Sequence, residues 1–320
     1  MSVDGTVAKP ARRFAWLALL TALLTIGLIV FGAVVRVTDS GLGCGNSWPL
    51  CDGTIVPPLD NLTAWIEWLH RLFAALIGVL GLVTLAAGWR LRRTHQVAFV
   101  AVVAAALLFT FQSALGALVV ILDLPPTMVA LHLGTAMLLL AALLLGGVAG
   151  IYRPRTRRAG DQVTTLAYVT TALSLVIILT GALVRGSGAT LACVDWPLCN
   201  GAIFPIGQGQ LAIIHMFHRA AVLALGISLA LLLWQVYVNR QGVWPRRLVL
   251  LSLVAYLGQA GVGALFVLTS AAPVWGATHV GLAAVTWALL VMLSALEFMD
   301  SRETHSERDV WNSQSEAMPN

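Results

Sequence analysis

Eight stretches of this chain are each apolar for about 20 residues, more than any soluble domain can hide. In hydrocarbon every backbone N–H and C=O must find its partner within the protein, so a spanning segment is a helix or part of a closed barrel. Runs of this length suit helices; barrel strands need only about 10 residues. They fall at 14–35, 63–89, 97–121, 128–150, 164–184, 211–238, 247–269 and 276–298. With 59% hydrophobic and only 10% charged residues, the chain reads as an all-α polytopic membrane protein with eight transmembrane helices.

The net charge of +5 comes almost entirely from arginine, since Lys9 is the only lysine. It does not point to nucleic acid, because the basic residues sit in short connections between apolar runs, where they set orientation. Of the 19 basic residues, 15 fall in one alternating set of connections: Lys9, Arg12, Arg13, Arg90, Arg92, Arg93, Arg153, Arg155, Arg157, Arg158, Arg240, Arg246, Arg247, Arg302 and Arg308. That set is expected on the cytoplasmic side, with both termini. Too few residues precede the first span for an organellar transit peptide. The span itself, Phe14 to Val35, lacks a small-residue cleavage pattern and reads as a retained helix.

The other four arginines, Arg36, Arg71, Arg185 and Arg219, expose an internal repeat. Gly32-Ala33-Val34-Val35-Arg36 answers to Gly181-Ala182-Leu183-Val184-Arg185, and His70-Arg71 to His218-Arg219. The loop Trp48-Pro49-Leu50-Cys51-Asp52-Gly53 answers to Trp196-Pro197-Leu198-Cys199-Asn200-Gly201. Gln112 and Gly116 answer to Gln259 and Gly263, and Pro126 and His132 to Pro273 and His279. The offset stays between 147 and 149 throughout, which marks a duplication. Each half holds four spans, so both enter the membrane the same way round. The expected architecture is two tandem four-helix bundles, 1–158 and 159–300, related by a pseudo-two-fold axis along the membrane normal. Gly78, Gly81, Gly116, Gly258, Gly261 and Gly263 would let helices approach closely. The polar stretch 301–320 reads as a solvated or disordered cytoplasmic tail.

Ionisable side chains inside a span are costly and mark function. His70, His132, His218 and His279 lie on the second, fourth, sixth and eighth spans, all near the outer ends. Two imidazoles per bundle at one depth suit the two axial sides of a heme iron. A zinc or copper site would recruit further carboxylates or thiolates, and only Glu67 is near. His95 and His305 lie among cytoplasmic charges and read as surface residues. Glu67 is the only acid well inside a span, three residues before His70 and so on its helix face. His215 stands opposite it in the repeat, giving the second half an extra imidazole and no acid. Glu67 is therefore a candidate proton donor or acceptor, or else a buried partner of Arg71.

Arg36, Arg71, Arg185 and Arg219 could clamp heme propionates or simply snorkel to the interface. Cys44/Cys51 and Cys193/Cys199 fall in outer loops, on the oxidising side. Their separations suit small disulfide-closed loops, and exchange of electrons by one pair is the sharper alternative. No Cys-x-x-Cys-His motif is present, so covalent heme attachment is not expected.

Taken together, Glu67-Trp68-Leu69-His70-Arg71, the loop Cys44…Trp48-Pro49-Leu50-Cys51, the three later histidines and the duplicated layout resemble the heme A synthase family over nearly the whole chain. The resemblance implies oxidation of the C8 methyl of heme O to the formyl of heme A through a hydroxymethyl stage. By it His70 and His132 would hold the substrate heme O beside the catalytic Glu67, while His218 and His279 would ligate a resident heme b. Cys44 and Cys51 match the family's outer-loop pair; Cys193 and Cys199 match one found in part of the family. It also implies a bacterial cytoplasmic membrane, and heme O synthase and an electron carrier as further partners beside lipid.

Two rivals predict different features. A diheme cytochrome carrying electrons across the bilayer would place histidines near both faces. A heme chaperone or exporter would not need Glu67.

Overall fold

The computed structural model describes residues 9–153 and 160–316, with side chains as far as Ser301. Eight helices account for the spans among the described residues: α1 (Lys9–Val37), α2 (Leu62–Trp89), α3 (Gln96–Ile121), α4 (Pro126–Ile151), α5 (Gln162–Gly186), α6 (Gln210–Asn239), α7 (Val243–Leu268) and α8 (Pro273–Glu316). Each is long and apolar enough to cross a bilayer, so the chain is a multi-pass membrane protein. The expected bundle boundary at 158/159 lies outside the described residues.

Local sequence sets the helix ends. The Asn61 side chain caps α2 by accepting from Ala64 N–H, and Asp161 caps α5 by accepting from Thr164 N–H, each satisfying an otherwise unpaired donor. Pro126 and Pro273 open α4 and α8, where a missing N–H costs nothing. The turns before them contain paired left-handed residues, Asp123-Leu124 and Ser270-Ala271. Past the last span α8 stays helical to Glu316, where an irregular tail was expected. The sequence offers no proline or glycine to stop it before Pro319.

Neighbouring helices follow the repeat. In the first half α1 packs on α2 and α4, and α3 on α2 and α4; in the second, α5 packs on α6 and α8, and α7 on α6 and α8. The seam is made by α1 with α8, α4 with α5, and α4 with α8. Exchanging every helix for the one four places away leaves this set of neighbours unchanged. Helices α2 and α4 stand diagonally with no substantial contact, as do α6 and α8. The seam is buried and apolar, lined by Met137, Leu140, Leu143, Ala284, Trp287 and Val291.

Of the glycines expected to bring helices together, Gly78 makes room for the Phe109 ring, and Gly116 and Gly263 for histidines. Gly258 is in ordinary contact with Leu282, while Gly81 and Gly261 face open space. Those two are not contact points.

Candidate heme-binding sites

His70 lies eight residues into α2 and His218 eight residues into α6; His132 and His279 lie six residues into α4 and α8. At 1.5 Å per residue these depths are about 12 and 9 Å from the helix starts, matched pairwise between the halves. The pairs sit on the diagonal helices that make no substantial contact. His70 and His132 are near enough to interact electrostatically, and so are His218 and His279.

Each imidazole rests against a glycine of the preceding helix. A Cβ added at Gly32 would lie 3.1 Å from Cε1 of His70; at Gly116, 3.0 Å from His132; at Gly181, 3.2 Å from His218; at Gly263, 2.9 Å from His279. Real Cβ atoms seldom come so close, so the rings occupy the volume that a side chain would take. Seating a ring edge-on against helix backbone fixes its direction, which metal ligation requires. Among the described residues, Nε2 of none of the four rings makes a hydrogen bond to the protein, and no three His, Cys, Asp or Glu side chains converge. Two imidazoles across a diagonal gap form a donor set that suits the axial positions of an iron porphyrin.

His215 is a different kind of residue. It is buried, its Nδ1 is 2.9 Å from the Ala189 carbonyl, and Arg219 donates to its Nε2 at 3.3 Å. A carbonyl only accepts, so Nδ1 carries the proton and both nitrogens are taken. His218, eight residues in and resting on Gly181, keeps its Nε2.

Glu67 occupies the corresponding place in the first half. Its side chain is only 4% exposed and pairs with Arg71, while its second oxygen accepts the Cys44 N–H at 2.8 Å. The loop backbone reaches α2 because Gly43 has no side chain; a Cβ there would lie 2.3 Å from Thr63 backbone. Arg71 also donates to the carbonyls of Ser47, Pro49 and Leu50 at 3.1 to 3.3 Å. Arg219 does the same for Pro197 and Leu198, and reaches Cys193 O at 3.5 Å. These two arginines brace their loops. Arg36 is placed otherwise: its buried Nε has no partner, and it lies near Arg185, which pairs with Asp39 at 3.6 Å.

Both braced loops are closed by disulfides, Cys44–Cys51 and Cys193–Cys199. Each turns back on itself through Asp52-Gly53 or Asn200-Gly201, both residues at positive φ, the backbone of a tight type I′ turn. His95 is partly exposed, its Nε2 2.6 Å from the Arg153 guanidinium at the surface. The side chain of His305 lies outside the described residues.

Comparison with known proteins gives this geometry a family. Residues 15–291 match the model of a family described as cytochrome oxidase assembly protein. The chain is 29% identical over 293 residues to a heme A synthase of Alkalihalophilus pseudofirmus, spanning 90% of this chain and 96% of that one. It is 33% identical over 276 residues to a heme A synthase of Geobacillus thermodenitrificans (81% and 83%) and 32% identical over 305 residues to one of Symbiobacterium thermophilum (89% and 95%). Since the match runs from the first helix into the last and includes His70, His132, His218 and His279, the chain belongs to the cytochrome oxidase assembly protein family, alongside the heme A synthases.

Proposed function

We propose that the protein is a heme A synthase, an oxidoreductase that converts the C8 methyl of heme O to a formyl group in a bacterial cytoplasmic membrane. The observation that carries this reading is the duplicated pair of glycine-seated histidines with free Nε2 atoms, where, among the described residues, the first half has Glu67 at the repeat position that His215 fills in the second. His70 and His132 hold the substrate heme O in the N-terminal half, 1–158. His218 and His279 hold a resident heme b in the C-terminal half, 159–300. When bound, that heme supplies one-electron transfer to or from an external carrier.

The chain's own part is to position and to handle protons. Glycine-backed imidazoles orient the porphyrin, and the apolar walls keep water from its edge. Glu67, on the His70 face of α2, takes up protons released as the methyl is oxidised, through the oxygen now paired with Arg71. Arg36, with its unpartnered Nε, is the arginine best placed to meet a propionate, with Arg185 beside it; Arg71 and Arg219 are engaged by their loops. The arginine-rich connections and both termini face the cytoplasm. Heme O synthase is a fitting source of the substrate.

All four histidines lie near the same ends of parallel helices, which speaks against a cytochrome that bridges the two faces. The chaperone reading is separated by Glu67→Gln, which keeps an acceptor for Cys44 N–H and removes the base. Formation of hydroxymethyl and formyl heme should fall by about 100-fold or more while extracted heme O and heme b content stays at the wild-type level. Unchanged turnover would remove Glu67 from the chemistry. An intact protein that binds heme O and never modifies it would favour the chaperone.

A further inference from the structure

The two halves repeat the same histidines but do not hold them alike. Thr180 Oγ1 lies 2.9 Å from His218 Nδ1 and 2.8 Å from the Ile177 carbonyl. A hydroxyl has a single proton to donate, and the Ile177 oxygen can only accept one. The Thr180 proton therefore goes to Ile177, and a Thr180 lone pair receives the His218 Nδ1–H. His279 Nδ1 lies 3.0 Å from the Gln259 carbonyl, which also can only accept. Both rings are thus locked in the tautomer that leaves the Nε2 lone pair free for a metal. An acceptor on the far nitrogen also orients the ring and raises its basicity.

None of this is present in the N-terminal half. His70 Nδ1 and His132 Nδ1 are both buried without a hydrogen-bond partner, and so is Gln112 Oε1. At the repeat's offset of 149, the place of Thr180 is taken by Phe31, whose ring meets His70 edge to face at 5.8 Å between centroids. A phenyl ring offers no lone pair to hold the imidazole proton. Gln112 stands where Gln259 does, yet its carbonyl makes no bond to His132.

We infer that Thr180 and the Gln259 carbonyl are positioning groups that make the C-terminal porphyrin site permanent, and that Phe31, by withholding a hydroxyl, keeps the N-terminal site exchangeable. This rests on the heme reading above. A substrate has to enter and its product has to leave, so ligands held by packing alone, without a hydrogen bond on Nδ1, belong there. A resident electron carrier has to survive every turnover, so anchored ligands belong with it.

The test uses full-length protein in detergent, with heme b as the probe, each site read alone in a His70→Ala or His218→Ala background. Heme transfer to excess apomyoglobin gives the release rate, and redox titration of the heme absorbance gives the midpoint potential. Thr180→Val should speed release from the C-terminal site about 10-fold and raise its potential, because a less basic ring favours ferric iron less. Thr180→Ser should restore both. Phe31→Thr should slow release from the N-terminal site by about the same factor. Unchanged release and potential in Thr180→Val, failure of Ser to restore them, or unchanged release in Phe31→Thr would each overturn the inference. A parent protein that takes up no heme at either site would instead overturn the heme reading itself.

Discussion

Glu67 and His215 stand at one position of the repeat and tie the preceding connection to the helix that carries a candidate ligand, Glu67 by accepting from Cys44 N–H and His215 by donating to the Ala189 carbonyl. An acid three residues before a histidine in a membrane span was legible from the sequence as chemistry. Its bond to Cys44 was not, because it depends on a loop folding back 23 residues. The repeat favoured His218 over the extra imidazole of His215 as the counterpart of His70; that both nitrogens of His215 are occupied was not legible. The Asp-Gly and Asn-Gly turns carried a readable hairpin signal; the sequence reading used those residues only to align the repeats. The glycine seats were half legible: Gly116 and Gly263 stood out as small residues, but what they accommodate is an imidazole and not a helix. Gly263→Ala would put a methyl group 2.9 Å from His279 Cε1 and should turn the ring, lowering heme content at that site by about 10-fold. Gly261→Ala, on the same helix and facing open space, should leave the content unchanged. Pigment extraction from the two variants decides the matter.

At the scale of elements, hydropathy alone located all eight helices, since lipid permits no other backbone for such runs. What it missed were the polar contacts at the helix ends away from the four histidines. Arg240, counted from the sequence only as an orienting charge, is 3% exposed and binds Glu297 on α8 at 2.9 and 2.7 Å and Asp161 at the start of α5 at 2.7 and 2.8 Å. The network joins parts of the chain more than 50 residues apart, which no local pattern reports. Hydrogen bonds from the Arg240 guanidinium hold the Asp161 carboxyl well below its ordinary value of 3.8, against the opposing effect of burial. A depressed folded-state value means that the stabilisation is fully present above about pH 4 and fades as pH falls through the folded-state value. Because Asp161 is 43% exposed, the solvent-screened contribution is about 1 kcal/mol. Asp161→Asn should therefore lower the thermal midpoint in detergent at pH 7, and its deficit should shrink on acidification below pH 4. A deficit that grows on acidification would contradict this.

For the molecule as a whole, the repeat offset predicted two equivalent halves but not which helices within each would be neighbours; the contacts repeat from one half to the other because duplicated sequences pack duplicated faces. Symmetry in contacts does not require symmetry in residues, and the seam shows it: Trp287 on α8 donates to the Met137 carbonyl on α4 at 2.9 Å, while the repeat places Leu140 at the counterpart position. One buried neutral hydrogen bond is worth about 1 kcal/mol. Trp287→Phe, which keeps most of the apolar packing, should cost about that much in denaturant titration without changing heme content.

The same seam has a mechanical corollary. Helices α4 and α8 lie back to back, and each also carries one of the histidines. A twist of either shaft would swing its own imidazole and press on the other shaft. Duplication has given this protein two halves that share one partition, so a change in how the two shafts pack would be felt on both sides of it.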